Sequence, residues 1–289
     1  MDFPTFLIQL LNGVELYYEE AGSGFPLVWC HEYAGDYRSW EPQMRHFARR
    51  YRVVTYSMRG YPPSSAPPGA GHYDIPTLAE DLRQLLKHLG IARTYLGGLS
   101  LGGNVVMNFS ILHPGLVAGL ILASTGSDAQ DRDQFVREYG KLADETEQKG
   151  MGVLVDAFGK AAARQAFRIK DPRGWAEFLR GIAEHGAAAA AQLIREAVIH
   201  RKTVFELTPE LAKLPMPTLV IVGDQDEPVH APALHLRRTI PNAGLAFLPV
   251  SGHNINIEEP ALFNLHVEQF LASVDRGRWC GWVAPGTGR

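Results

Sequence analysis

The apolar positions of this chain change period several times, and the changes divide it into strand-like and helix-like segments. Thr5–Leu11 and Val14–Glu20 read as two strands, with the turn dipeptide Asn12-Gly13 between them. Pro26-Leu27-Val28-Trp29-Cys30 is a short continuous apolar run, the pattern of a strand covered on both faces. Trp40–Arg50 is amphipathic at helical spacing, and Tyr51–Tyr56 is the next strand. Leu78, Leu82, Leu85, Leu86 and Leu89 mark one face of a helix over Ile75–Leu89, which ends at Gly90. Then follow a β-like run (Arg93-Thr94-Tyr95-Leu96), a helix over Leu101–His113 stopped by Pro114, and a strand near Val117–Ala123. Strands alternating with helices predict an α/β protein: a mostly parallel sheet with helices on both faces.

From about Asp128 to Lys213 the alternation stops. This segment is alanine-rich, carries Arg164, Arg168, Arg180 and Arg195, and shows helical pattern without a convincing strand. After Pro215 and Pro217 the alternation resumes, with a strand at Thr218–Val222, a helix at Ala233–Ile240, a strand at Gly244–Val250 and a final helix at Glu259–Val274. The expected organisation is therefore a core of residues 1–127 and 214–289 with a helical block, 128–213, inserted between two strands of one sheet. The block leaves the sheet at its carboxyl edge, where open α/β sheets bind ligands, so it reads as a cap over a site. The competing reading is a second domain with no link to the chemistry. The tail from Arg276 has no readable period.

Composition narrows the function classes. Of 289 residues 46% are hydrophobic and 20% charged, an ordinary globular balance. A net charge of −3 argues against a nucleic-acid binder driven by counterion release. Two cysteines, Cys30 and Cys280, are too few for a disulfide framework, and Cys30 reads as a small core residue. There is no basic n-region with an apolar h-region, and no run of about 18 apolar residues to span a bilayer. The expectation is a cytoplasmic protein without a membrane or nucleic-acid partner. Whether it forms a homo-oligomer is left open.

The chemistry centres on Gly97-Gly98-Leu99-Ser100-Leu101-Gly102-Gly103. It contains G-x-S-x-G between a strand pattern and a helix pattern, the setting of a nucleophile elbow. A serine on so sharp a turn has strained backbone angles, and glycines on both sides remove side chains that would strike the neighbouring strand and helix. The turn also aims the first free N–H groups of the helix at the hydroxyl.

A serine hydroxyl needs a base within hydrogen-bond reach and a group that orients the base. His253, in Ser251-Gly252-His253-Asn254 after the last expected strand, lies on the same sheet edge as the elbow. His46, His88, His185, His235 and His266 lie on helical patterns and read as ordinary surface or core residues. The orienting acid should come from Gly223-Asp224-Gln225-Asp226-Glu227-Pro228, and spacing alone does not separate Asp224 from Asp226. No dinucleotide or phosphate loop and no metal-ligand spacing is present, so neither cofactor nor metal is implied.

In the order Ser100, Asp, His253 the chain resembles the α/β-hydrolase superfamily, from Pro26 to Phe270. The resemblance implies that fold with about eight strands and an inserted helical cap. It selects Asp226, because the loop after this strand commonly reads Gly-x-x-Asp followed by proline. It places the oxyanion hole at the backbone N–H groups of Tyr33 and Leu101. Capped members include carboxylesterases, enol-lactonases, carbon–carbon bond hydrolases and perhydrolases. Epoxide hydrolases and haloalkane dehalogenases use an aspartate where Ser100 stands. Trp40-Glu41-Pro42-Gln43 and the elbow look most like the enol-lactonase and esterase branch.

One departure concerns the loop after the third strand. Members usually have His-Gly there, whereas this chain reads His31-Glu32-Tyr33-Ala34-Gly35. The Glu32 carboxylate either enters the pocket, as a proton carrier or a repeller of anions, or turns away to bond backbone or Arg59. The loop Arg59-Gly60-Tyr61-Pro62-Pro63-Ser64 departs from the family pattern too.

The expected function is hydrolysis of a small carboxylic ester or lactone through an acyl-enzyme. The runner-up is carbon–carbon cleavage of a vinylogous diketone, for which Arg164 or Arg168 would hold a substrate carboxylate. From outside the enzymes stands a slow-turnover ligand sensor of the same fold.

Overall fold

A computed structural model describes residues 7–11, 13–126 and 131–280. Expectations for Thr5, Asn12, residues 128–130 and the tail beyond Cys280 lie outside the described residues. The strands are β1 (Leu7–Leu11), β2 (Val14–Ala21), β3 (Pro26–Cys30), β4 (Arg52–Tyr56), β5 (Thr94–Leu99), β6 (Val117–Ala123), β7 (Thr218–Gly223) and β8 (Ala243–Leu248). They form one eight-stranded sheet in the order β1-β2-β4-β3-β5-β6-β7-β8. Only the pairings of β2 with β1 and with β4 are antiparallel. From β4 to β8 every pairing is parallel.

The runs without polar alternation are the central strands. Every residue of β5, β6 and β7 is buried, as parallel strands covered on both faces require. From β3 the chain passes to β4 on one side, whereas from β5 it proceeds to β6 on the other. The strand order thus reverses between β3 and β5. Cys30 pairs with Gly98 there, so the loops leaving both strands diverge from one point and open a crevice.

Helices α1 (Glu41–Phe47), α2 (Ile75–His88) and α3 (Leu101–Leu112) belong to the first half of the sheet, and α10 (His230–Thr239), α11 (Ile255–Glu258) and α12 (Pro260–Asp275) to the second. Between β6 and β7 lie α4 (Arg132–Lys149), α5 (Gly152–Lys160), α6 (Gln165–Lys170), α7 (Pro172–Ala183), α8 (Ala187–Leu193) and α9 (Thr208–Leu211). Helix α8 runs on into a π-helical turn, Ile194–Ile199.

Most expected boundaries hold within a residue or two. Two differ for identifiable reasons. The expected Trp40–Arg50 helix starts with a 3₁₀ turn at Tyr37–Trp40, because the Asp36 carboxylate caps it, and α1 closes at Phe47. The expected Ala233–Ile240 helix begins at His230, since Pro232 falls in its first turn, where a missing N–H costs nothing.

Two apolar layers cover the sheet. Trp29, stacked on Trp40 at 4.4 Å between ring centroids, packs with Phe47 and Phe263 on one face. On the other, Val105 and Val106 of α3 share a continuous cluster with Leu154, Phe158, Ile182 and Leu193 of the inserted helices. Among the described residues the inserted helices thus share this apolar cluster with α3 and do not form a core of their own.

Candidate active site

The turn after β5 has the geometry its glycines imply. Ser100 sits at φ 54°, ψ −112°, a region that non-glycine residues rarely occupy. It is pinned by its N–H to the Ala123 carbonyl at 2.8 Å and by its own carbonyl to the Asn104 N–H at 3.0 Å. A Cβ on Gly98 would strike the Gly102 backbone, and one on Gly102 would strike the Cys30 carbonyl at the end of β3. Helix α3 can approach β3 and β5 this closely only without those side chains. Leu101 is its first residue, so the Leu101 N–H belongs to the unpaired amino end of the helix.

The last two parallel strands bring His253 and Asp226 together. Gly223 pairs with Leu248, which sets the loops after β7 and β8 side by side. His253 Nδ1 donates to Asp226 Oδ2 at 2.6 Å, with both groups buried. Asp224 points elsewhere: it is exposed, and its carboxylate accepts from the Ser251 N–H at 2.9 Å. Backbone N–H donors hold its carboxyl below the usual range. Asp224 thus shapes the loop before His253, while Asp226 meets the ring itself.

Ser100, Asp226 and His253 line one cavity of about 380 Å³, together with Tyr33 and Leu101. Among the described residues the Ser100 hydroxyl makes no hydrogen bond to the ring, a contact that commonly tightens only with substrate bound. The opposite wall comes from the inserted helices, including Phe135, Tyr139, Phe158 and Arg164, with Val198 from the π-helical turn. Arg164 stands over the Phe158 ring at 4.4 Å, and among the described residues no carboxylate lies within ion-pair distance of it. Arg168, the other arginine considered for a substrate carboxylate, is exposed and away from this cavity.

The loop after β3 is built around its histidine. His31 Nδ1 donates to the Glu32 carbonyl at 2.8 Å, and Nε2 accepts the Met58 N–H at 2.9 Å. Burial pushes this imidazole down to about 4, so it stays neutral and ties the loops after β3 and β4 together. A tight turn follows: the Gly35 N–H donates to the Glu32 carbonyl at 3.1 Å, with Ala34 at φ 63°. The Tyr33 hydroxyl donates to the Ala190 carbonyl of α8.

Glu32 does not line the cavity; its carboxyl is buried behind it, against Ser39 and Asn254. Nor does it meet Arg59, whose guanidinium is engaged by Asp81 through two contacts of 2.6 Å. Cys30 is buried beside Tyr56, and its thiol is pushed up to about 12, so it is a core residue. Sequence patterns did not point to the linking roles of His31, Asn254 or the Ala163 carbonyl, which accepts the His253 N–H at 2.7 Å. A main-chain acceptor leaves no mark in residue type. Among the described residues no group of three metal-binding side chains occurs, and no helix is long and apolar enough to cross a membrane.

Comparison with known proteins places the chain. Residues 26–260 match the family model for the alpha/beta hydrolase fold, and the chain belongs to that family. It is a hydrolase. A 3-oxoadipate enol-lactonase of Acinetobacter baylyi is 30% identical over 261 residues, covering 85% of this chain and 88% of that protein. Among solved structures, the enol-lactonase from Burkholderia xenovorans has a TM-score of 0.83 at 26% identity, covering 92% of this chain and 100% of its own. A thermophilic esterase from Thermogutta terrifontis has a TM-score of 0.81 at 25% identity, covering 94% of this chain and 99% of its own.

Proposed function

We propose that this hydrolase cleaves a small carboxylic ester or lactone through an acyl-enzyme, with Ser100 as nucleophile, His253 as base and Asp226 as orienting acid. The observation that carries the reading is the buried 2.6 Å contact from His253 Nδ1 to Asp226 Oδ2, in a cavity that also receives the strained Ser100. Asp226 accepts a hydrogen bond from Nδ1–H, which keeps the proton on Nδ1 and leaves the Nε2 lone pair free to take the proton of the Ser100 hydroxyl as it attacks the carbonyl. The backbone N–H groups of Tyr33 and Leu101 receive the tetrahedral oxyanion; one such donor is typically worth about 2.7–4 kcal/mol of barrier. His253 then passes its proton to the leaving alcohol. Water attacks the acyl-enzyme with His253 again as base, and the acid departs. In a lactone the alcohol and the acid are two ends of one product.

Helices α4–α9 act in this reading as a cap, residues 128–213, that shapes the acyl pocket and limits water. Arg164, which lines the cavity and has no ion-pair partner among the described residues, favours keeping the second reading, cleavage of a diketone that carries a carboxylate. A panel of p-nitrophenyl acetate, p-nitrophenyl butyrate, a simple lactone and a dienoic diketone tests the assignment. Turnover of the esters or the lactone is the expected outcome. Turnover of the diketone alone moves the reading to the second reaction, and negligible turnover of all four with tight ligand binding moves it to a sensor.

A further inference from the structure

Glu32 is a buried charged-type residue beside the site that the proposed mechanism leaves unused. It is 1% exposed. Oε1 accepts from Ser39 Oγ at 3.2 Å and from Asn254 Nδ2 at 3.4 Å, whereas Oε2 is buried without a hydrogen-bond partner among the described residues. The chain makes room for this carboxyl: a Cβ on Gly35 would lie 2.5 Å from Glu32 Cδ. The turn that presents the Tyr33 N–H is thus closed over the Glu32 side chain.

The same carboxyl reaches the other loops of the site. Asn254 follows His253, and its Oδ1 accepts from Arg164 Nε at 3.1 Å while its Nδ2 serves Glu32. The preceding peptide is fixed by the His253 N–H on the Ala163 carbonyl at 2.7 Å. Glu32, Asn254 and Arg164 therefore form a line through the Tyr33 loop, the His253 loop and the inserted helices. Asn254 stands between the two charged-type groups, so neither neutralises the other by contact.

We propose, resting on the hydrolase reading above, that Glu32 is a positioning residue whose uncharged carboxyl joins the Tyr33 loop to the His253 loop, and that its ionisation lowers turnover. Its own backbone N–H and the two long side-chain donors favour the carboxylate, but burial outweighs them, so the charged form is costly whereas the neutral acid fits the same space. The surroundings are consistent. Arg164 acts on it only across Asn254, and Asp36, on the other side, is itself engaged by Arg38 and His185. Cys30 and Tyr61, also within its field, are buried groups pushed further toward their uncharged forms. Burial pushes the Glu32 carboxyl up to about 7. Once ionised, it would draw Arg164 toward Asn254 and place negative charge next to the peptide that receives the oxyanion, opposing the transition state.

The test is the pH profile of kcat/KM on p-nitrophenyl acetate for the wild type, Glu32→Gln and Glu32→Ala, with the rate of fluorophosphonate labelling as a second readout. In the wild type both should fall about tenfold or more from pH 7 to pH 9. Glu32→Gln, which mimics the neutral acid, should lose that alkaline limb. Glu32→Ala should lose it too, and run slower by on the order of tenfold across the range, because the tether is gone. An alkaline limb unchanged in Glu32→Gln overturns the proposal while leaving the hydrolase reading intact. A wild type that neither turns over nor labels at any pH overturns both. Should the variants fail to fold, carbon-13 NMR of the Glu32 carboxyl in the wild type decides. Titration near 7 supports the proposal, and titration in the ordinary range of about 4–5 defeats it.

Discussion

The two walls of the cavity are held in place by different means. On the sheet side, Ser100, Asp226 and His253 stand on loops that leave β5, β7 and β8, and strand register fixes how far apart those loops lie. On the helical side, Phe135, Phe158 and Arg164 are placed by side-chain packing in the cluster shared with α3 and by single contacts such as Arg164 on Asn254. A wall set by backbone pairing tolerates changes of its side chains without moving. A wall set by packing shifts when a side chain is changed. Chemistry that needs groups aligned within a fraction of an ångström is therefore better sited on the first, and recognition of the substrate's outline on the second.

If that division holds, substitutions on the two sides should differ in kind. The largest effect is expected from Ser100→Ala, which should lower kcat for p-nitrophenyl butyrate by on the order of 10⁴-fold or more with little change in fold by circular dichroism. Asp226→Asn should lower kcat by about 10⁴, since the amide favours the wrong tautomer of His253. Asp224→Asn, whose contacts are with backbone N–H groups and not with the His253 ring, should cost far less. Reversed effects in this pair would mean that the exposed aspartate is the orienting group. On the helical side, Phe158→Ala and Arg164→Gln should raise KM or change the preference among esters by roughly tenfold while leaving kcat for the small acetate within a fewfold. A loss of kcat comparable to that of Asp226→Asn would erase the distinction between the walls.

How far the chain could be read in advance follows the same line. The elbow was legible because its glycines are demanded by local sterics, and the parallel strands because burial on both faces leaves unbroken apolar runs. Spacing did not separate Asp224 from Asp226, which lie two apart; the difference lies in the side-chain contacts, Asp226 on the His253 ring and Asp224 on the Ser251 N–H. The inserted helices were visible as helices, but helical periodicity does not say which residues turn toward a cavity, so Arg164 and Arg168 stood as equals. For Glu32 the sequence allowed either entry into the pocket or a side chain turned away to bond backbone or Arg59. It turns away, toward its own backbone, Ser39 and Asn254 in the space over Gly35, and not to Arg59, which Asp81 already occupies.

The smallest expected effect concerns stability. The Glu32 carboxyl is raised from about 4.5 to about 7 by folding, so between those values the folded protein holds a proton that the unfolded chain has released. Stability from this group is complete below the lower value and is lost as pH rises through the upper one, by on the order of 3 kcal/mol. Thermal unfolding of the wild type should therefore move to lower temperature between pH 5 and pH 8 more than that of Glu32→Gln. Parallel curves would show that the carboxyl titrates normally.

In the proposed reaction Ser100 is the nucleophile, activated by His253 in this cavity. The most direct test of that role is to treat the intact protein with a fluorophosphonate, digest it and locate the adduct by mass spectrometry, with Asp226→Asn treated in parallel. One adduct is expected, on Ser100, formed in step with loss of esterase activity and formed much more slowly in the variant. An adduct on a different serine, or full activity in protein labelled at Ser100, would contradict it.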